Sequence, residues 1–155
     1  MINDYKEFIS KIKSLRTEQN RMTNELIESL LIELTTEFSK YLKNVTSEDL
    51  KMNLKKFDMD LIKDRYILFL LNDEYGIIIR IQKRMYADLE IAVNTIYRLK
   101  HLYKEGALLD TFNPANMSIE KFVEKTIKKL NRQYEIKTLN KEKNELKRTS
   151  NKYNL

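Results

Sequence analysis

A chain of 155 residues with a net charge of +6 suits a single domain, burying roughly 68–70% of its unfolded surface without help from disulfides or metals. It has no cysteine, one histidine and two glycines, which excludes disulfides, thiolate nucleophiles, multi-histidine zinc sites, glycine-rich phosphate loops and dinucleotide fingerprints. No stretch approaches the roughly 20 apolar residues of a membrane span, and the opening MINDYKEF is polar within its first turn, so a cytoplasmic protein without a membrane partner is expected.

Residues 4–45 are helical in pattern, with neither glycine nor proline. Apolar residues recur at Phe8, Ile12, Leu15, Met22, Leu26, Leu30, Leu34, Phe38, Tyr41 and Val45. Early intervals of four and three, counting polar Gln19 in an otherwise apolar position, resemble a short coiled-coil seam; from Leu26 the steps run in fours, which turns the stripe around the helix. One helix of that length would extend about 63 Å, longer than a compact domain of this size covers. A helical pair broken near Thr17–Thr23 and one long or bent helix both fit the pattern, and the lack of a strong breaker favours the second.

Thr46 and Ser47 read as an N-cap, followed by Glu48 and Asp49 in the first turn of a short helix that carries Leu50 and Leu54. The period then changes to two. Phe57, Met59 and Leu61 alternate with charged residues as an edge strand, and Tyr66–Leu71 and Ile77–Gln82 form a hairpin across Asn72–Gly76. The face of Ile78, Arg80 and Gln82 is expected to meet water. From Lys83 the period returns to 3.6: Met85, Leu89, Ala92, Val93, Ile96, Leu99 and Tyr103 share one stripe that predicts a helix ending at Gly106, with Ala107–Met117 as a connector.

Ser118 reads as the cap of a last helix with Ile119, Phe122, Val123, Thr126, Ile127, Leu130 and Tyr134 on one side. Lys121, Lys125, Lys128 and Arg132 gather opposite, with Lys129 beside them. The charge is local: residues 118–155 hold eleven basic and five acidic side chains, whereas the rest of the chain is balanced. The expected architecture is therefore α+β and mostly helical: a long N-terminal helix or helical pair, a three-stranded antiparallel meander and two further helices. Residues 1–136 form the single domain and 137–155 a basic polar tail, frayed or disordered.

No constellation points to chemistry. Asp58, Asp60, Asp64, Asp73 and Glu74 could approach one another around the sheet, but charges on an edge strand explain the same spacing as protection against aggregation. His101, the lone histidine, falls near the end of the predicted third helix, where it complements the dipole. The expectation is a non-enzymatic protein without cofactor, metal or small-molecule substrate. It would act as an oligomerising regulator, adaptor or inhibitor, a homodimer that also binds another, acidic protein through helical surfaces, with Leu26, Leu30, Leu34, Phe38 and Tyr41 as apolar anchors. The alternative is a nucleic-acid-associated protein whose Lys121, Lys125, Lys128, Lys129 and Arg132 neutralise phosphates.

Overall fold

The computed structural model describes residues 2–50, 52, 65–83, 89–113 and 117–153. In chain order these form α1 (Ile2–Phe38), β1 (Lys43–Val45), α2 (Ser47–Leu50), β2 (Arg65–Leu70), β3 (Tyr75–Lys83), β4 (Leu89–Leu99), β5 (Leu102–Phe112) and α3 (Ile119–Lys152). The strands make a five-stranded antiparallel sheet in the order β1-β2-β3-β4-β5. This corrects the expected three-stranded meander. The edge strand expected at Phe57–Leu61 lies outside the described residues.

The hairpin across Asn72–Gly76 is present as β2 and β3, with Phe69 opposite Ile77 and Arg65 opposite Ile81. The Asn72 side chain sets its turn: Oδ1 accepts from the backbone N–H groups of Glu74 (2.9 Å) and Tyr75 (3.0 Å), an Asx arrangement that substitutes for a backbone turn bond. Gly76 follows because a Cβ there would run into the Phe69 carbonyl oxygen. α2 is short but well capped. The Thr46 N–H and hydroxyl both donate to Asp49 Oδ2, at 3.0 and 2.9 Å, and hold that carboxyl below the usual aspartate range.

Of the stripe Met85–Tyr103 expected as a helix, residues 85–88 lie outside the described residues and the rest is instead β4 and the start of β5, joined by a turn at Lys100 and His101 in which Lys100 adopts φ 60°. Ile91, Val93 and Tyr97 pack with the helices, while Ile96 packs on the opposite side of the sheet. Ile91 and Val93 do alternate with Glu90, Ala92 and Asn94, but the alternation breaks at Thr95–Ile96, where the register shifts, and a helical stripe can be drawn through the run by coincidence. The β-branched content of Ile91, Val93, Thr95 and Ile96 favours the strand. β5 conceals itself differently: two register irregularities opposite Val93–Ile96 break its period, so that Leu109 and Phe112, three apart, both reach the helix side. Gly106 lies within this irregular stretch, where a Cβ would meet the Thr95 hydroxyl, and terminates no helix.

α1 is one helix throughout, and α3 is capped by Ser118, whose Oγ accepts from Lys121 N–H at 3.3 Å. α3 runs on to Lys152 through the segment expected to fray. That stretch is polar, yet its lysines, glutamates and leucines are good helix formers and no glycine or proline interrupts them.

Two cores result. On the helix side, Ile27, Leu30, Leu34 and Phe38 of α1 and Phe122, Val123, Ile127 and Leu130 of α3 cover Phe69, Ile77, Ile79, Ile81, Ile91 and Val93. Four rings cross this layer in sequence. Phe69 lies 5.4 Å from Phe38, Phe38 meets Phe122 edge-on at 6.2 Å, and Phe122 stacks on Phe112 at 4.5 Å. On the other side, Leu50 and Met52 join Leu68, Ile78 and Ile96, and Met52 forms an isolated bridge with Tyr103 of the outer strand β5. Arg80 shares this side, which is not the watery face expected. Its guanidinium forks onto Glu105, Nη1 to Oε2 at 2.7 Å and Nη2 to Oε1 at 2.6 Å, with the two side chains 4% and 6% exposed.

A buried, bidentate pair of this kind is destabilising to break and far less so to replace. Glu105→Ala should cost about 3–5 kcal/mol in denaturant unfolding, while the double change Arg80→Met with Glu105→Leu should recover most of that loss. Equal losses in the single and double variants would show instead that the pair itself supplies the stability and that a stranded charge is not the cause of the single variant's loss.

Candidate functional site

α3 presents its two sides to different surroundings. Phe122, Val123, Thr126, Ile127 and Leu130 are buried against the sheet. Lys121, Glu124, Lys125, Lys128, Lys129 and Arg132 line a shallow concavity of about 570 Å³ whose walls, among the described residues, all come from this helix. Thus the five basic residues expected to contact phosphate or an acidic partner do stand together, with Glu124 among them. They are not equivalent: Lys129 is held at 3.3 Å by Asp110 Oδ1 of β5, a side chain only 9% exposed, and is the least available of the five. Beneath it, Asp110 Oδ2 and the Thr126 hydroxyl are buried with no hydrogen-bond partner among the described residues.

One and a half turns further on, α3 closes over the top of the sheet. Lys137 Nζ stands 5.1 Å from the Tyr75 ring centroid and 4.9 Å from that of Tyr97, and Tyr134 lies 5.8 Å from Tyr75. The Tyr75 hydroxyl donates to Gln133 Oε1 at 3.4 Å, and burial pushes its phenol above the usual range. Lys137 therefore has a structural position, unlike the lysines that follow it.

The five apolar anchors expected on α1 separate into two groups. Leu30, Leu34 and Phe38 are buried in the helix-side core, beneath which lie the protein's own sheet and α3, and a partner cannot reach them in this fold. Leu26 and Tyr41 are 51% and 49% exposed. The stripe of four-residue steps is thus, from Leu30 onward, the face α1 turns toward its own sheet, with Ile27 rather than Leu26 buried beside it. Before it, no described side chain between Asp4 and Leu26 is buried, and Tyr5, Phe8 and Leu15 are exposed.

Chemical candidates remain scattered. Asp58, Asp60 and Asp64 lie outside the described residues; Asp73 and Glu74 are exposed in the β2–β3 turn; His101 is exposed in the β4–β5 turn rather than at a helix end. Among the described residues no group of three or more histidine or carboxylate side chains could hold a metal ion, and no helix is long and apolar enough to cross a membrane. The Arg80–Glu105 pair is nearly invisible in the sequence. Its one signal is the lone charge in the run Ile77–Ile81, a strand otherwise wholly apolar.

No family model matches the chain, and no match is found among curated proteins or solved structures.

The division of α1 into a core-facing and an exposed portion predicts opposite responses to substitution. Phe38→Ala should lower unfolding stability by about 3–5 kcal/mol, as for large buried aromatics. Leu26→Asp and Phe8→Asp should each change it by no more than about 0.5 kcal/mol in protein diluted to single chains. Thermal and denaturant unfolding of the three variants would check this, and a large loss for Phe8→Asp would mean that the early helix is packed.

Proposed function

We propose that the protein is a non-enzymatic protein-interaction protein, an oligomerising regulator, adaptor or inhibitor that works through helical surfaces. The observation that carries this reading is the exposed apolar stripe on the first part of α1, continuous with a buried anchor. Most of the stability of a helix in a protein comes from packing an amphipathic face, and exposed pairs such as Arg21 with Glu18 and Glu25 supply little of it. A stretch this long with Phe8, Ile12 and Leu15 along one side is suited to covering by another helix. The body fixes Ile27–Phe38 and so directs the free portion, which reduces the ordering cost of docking. Such a surface is suited to action by assembly or by occlusion, with Leu26 at its margin.

A second reading has its own support in the basic concavity of α3. There the protein would be nucleic-acid-associated, with Lys121, Lys125, Lys128 and Arg132 on phosphates and Lys129 partly retained by Asp110. The same positive surface also suits an acidic protein partner.

The two readings respond to different substitutions. Under the first, the double change Phe8→Asp with Leu15→Asp should abolish self-association or capture of a defined partner, with the unfolding midpoint of the dissociated protein unchanged; retention of every association would overturn it. Under the second, changing Lys121, Lys125, Lys128 and Arg132 to Gln should weaken binding to duplex and single-stranded nucleic acid alike. It should also flatten the log–log salt slope on duplex DNA by about 0.9 for each phosphate that is no longer neutralised. An unaltered slope would remove this face from consideration.

A further inference from the structure

We infer that the partner of the exposed part of α1 is the same segment of a second copy of this chain, paired antiparallel as a two-stranded coiled coil. This deepens the interaction reading and rests on it. The heptad that begins with Phe8, Ile12 and Leu15 extends back to Tyr5 and forward through Gln19 and Met22 to Leu26, alternating steps of three and four without interruption. After Leu26 the stripe rotates, and the next apolar residues, Ile27 and Leu30, belong to the protein's own core. The seam therefore ends where intramolecular packing starts. Phe8 and Leu15, at its centre, are 60% and 69% exposed.

Charge selects the occupant. Between Asp4 and Leu26 there are five basic residues and four acidic ones, so two such segments can lie side by side without accumulating charge. The projecting half of α3 has a weaker apolar line, through Ile136, Leu139 and Leu146, but residues 135–152 hold six basic and three acidic side chains, and self-pairing there would be repelled. A self-complementary, near-neutral seam is the property an isologous interface requires.

Charge also selects the direction. A parallel pair would set Lys11 against Arg16 of the second copy, twice by symmetry. In the antiparallel register that places Ile12 opposite Leu15, Lys11 faces Glu18 of the second copy, also twice. The like-charged pair of this register, Asp4 with Glu25, falls at the ends of the overlap, where Glu25 is already engaged by Arg21.

The absence of native cysteine allows a direct test. Full-length Lys11→Cys and Glu18→Cys proteins, alone and mixed, would be oxidised mildly and their products weighed, alongside the solution mass of unmodified protein and of Leu15→Asp. The expected results are a mass of twice the 18.7 kDa chain, a crosslinked product in the mixture at several times the yield of either variant alone, and reversion of Leu15→Asp to single-chain mass with the unfolding midpoint that the unmodified protein shows when diluted to single chains. Efficient crosslinking of Lys11→Cys to Arg16→Cys, the two positions a parallel pair brings together, would establish parallel pairing and overturn the proposed direction. A single-chain mass at every concentration would overturn the second copy as partner, while leaving the interaction reading to its own test with a different protein. A dimer insensitive to Leu15→Asp and without the mixed crosslink would place the interface elsewhere and overturn the proposal.

Discussion

Phe38 is the joint on which the arrangement depends. Its ring touches Phe69 of the sheet and Phe122 of α3, and Phe122 in turn stacks on Phe112 of β5, so one line of four rings ties the first helix, an inner strand, an outer strand and the last helix together. Close-packed aromatic contacts of this sort have defined geometries and do not slide freely. Fixing the end of α1 at Phe38 fixes the line of the whole helix, because a continuous helix without glycine or proline has no hinge. The stripe on its early turns is consequently presented at a set angle instead of being free to fold back on the body. Packing inside the domain thus determines the surface offered outside it.

The sheet has the complementary constraint of two apolar faces. Helices cover one with a large core, while the other combines a small core around Ile78 and Ile96 with the Arg80–Glu105 pair. Burying that pair among aliphatic side chains gives the second face a unique register, since a slip of one residue along β3 would send Arg80 into the helix-side core. The exposed groups have less to do with stability. The lysines of α3 opposite its buried side can be altered with little effect on the fold, apart from Lys129 with its partner Asp110.

The sequence makes some of this legible and conceals the rest for identifiable reasons. The β2–β3 hairpin can be read because Asn72 and Gly76 punctuate two β-rich runs, and the basic side of α3 because eleven of the chain's cations lie after residue 117. Continuity of α1 follows from the absence of breakers. β4 is hidden because its alternation breaks at the register shifts around Asn94–Ile96, so Ala92, Val93 and Ile96 imitate a helical stripe; β5 is hidden because the same shifts cancel its alternation. The assignment of Leu30, Leu34 and Phe38 to a partner surface fails for a related reason. An apolar stripe announces that something covers it, but whether the cover is the chain's own sheet depends on strands whose pattern is itself concealed. Once the sheet has five strands, α1 has enough intramolecular surface for Ile27–Phe38 and none for the turns before it.

Amide hydrogen exchange along α1, at dilute and concentrated protein, reports the two portions of the helix separately and is the sharpest check on their different roles. Ile27–Phe38 should be strongly protected at both concentrations, and the segment before Leu26 should gain protection as concentration rises. Protection of the early turns that is strong and independent of concentration would contradict this division, since those turns would then be held by the body of the same chain.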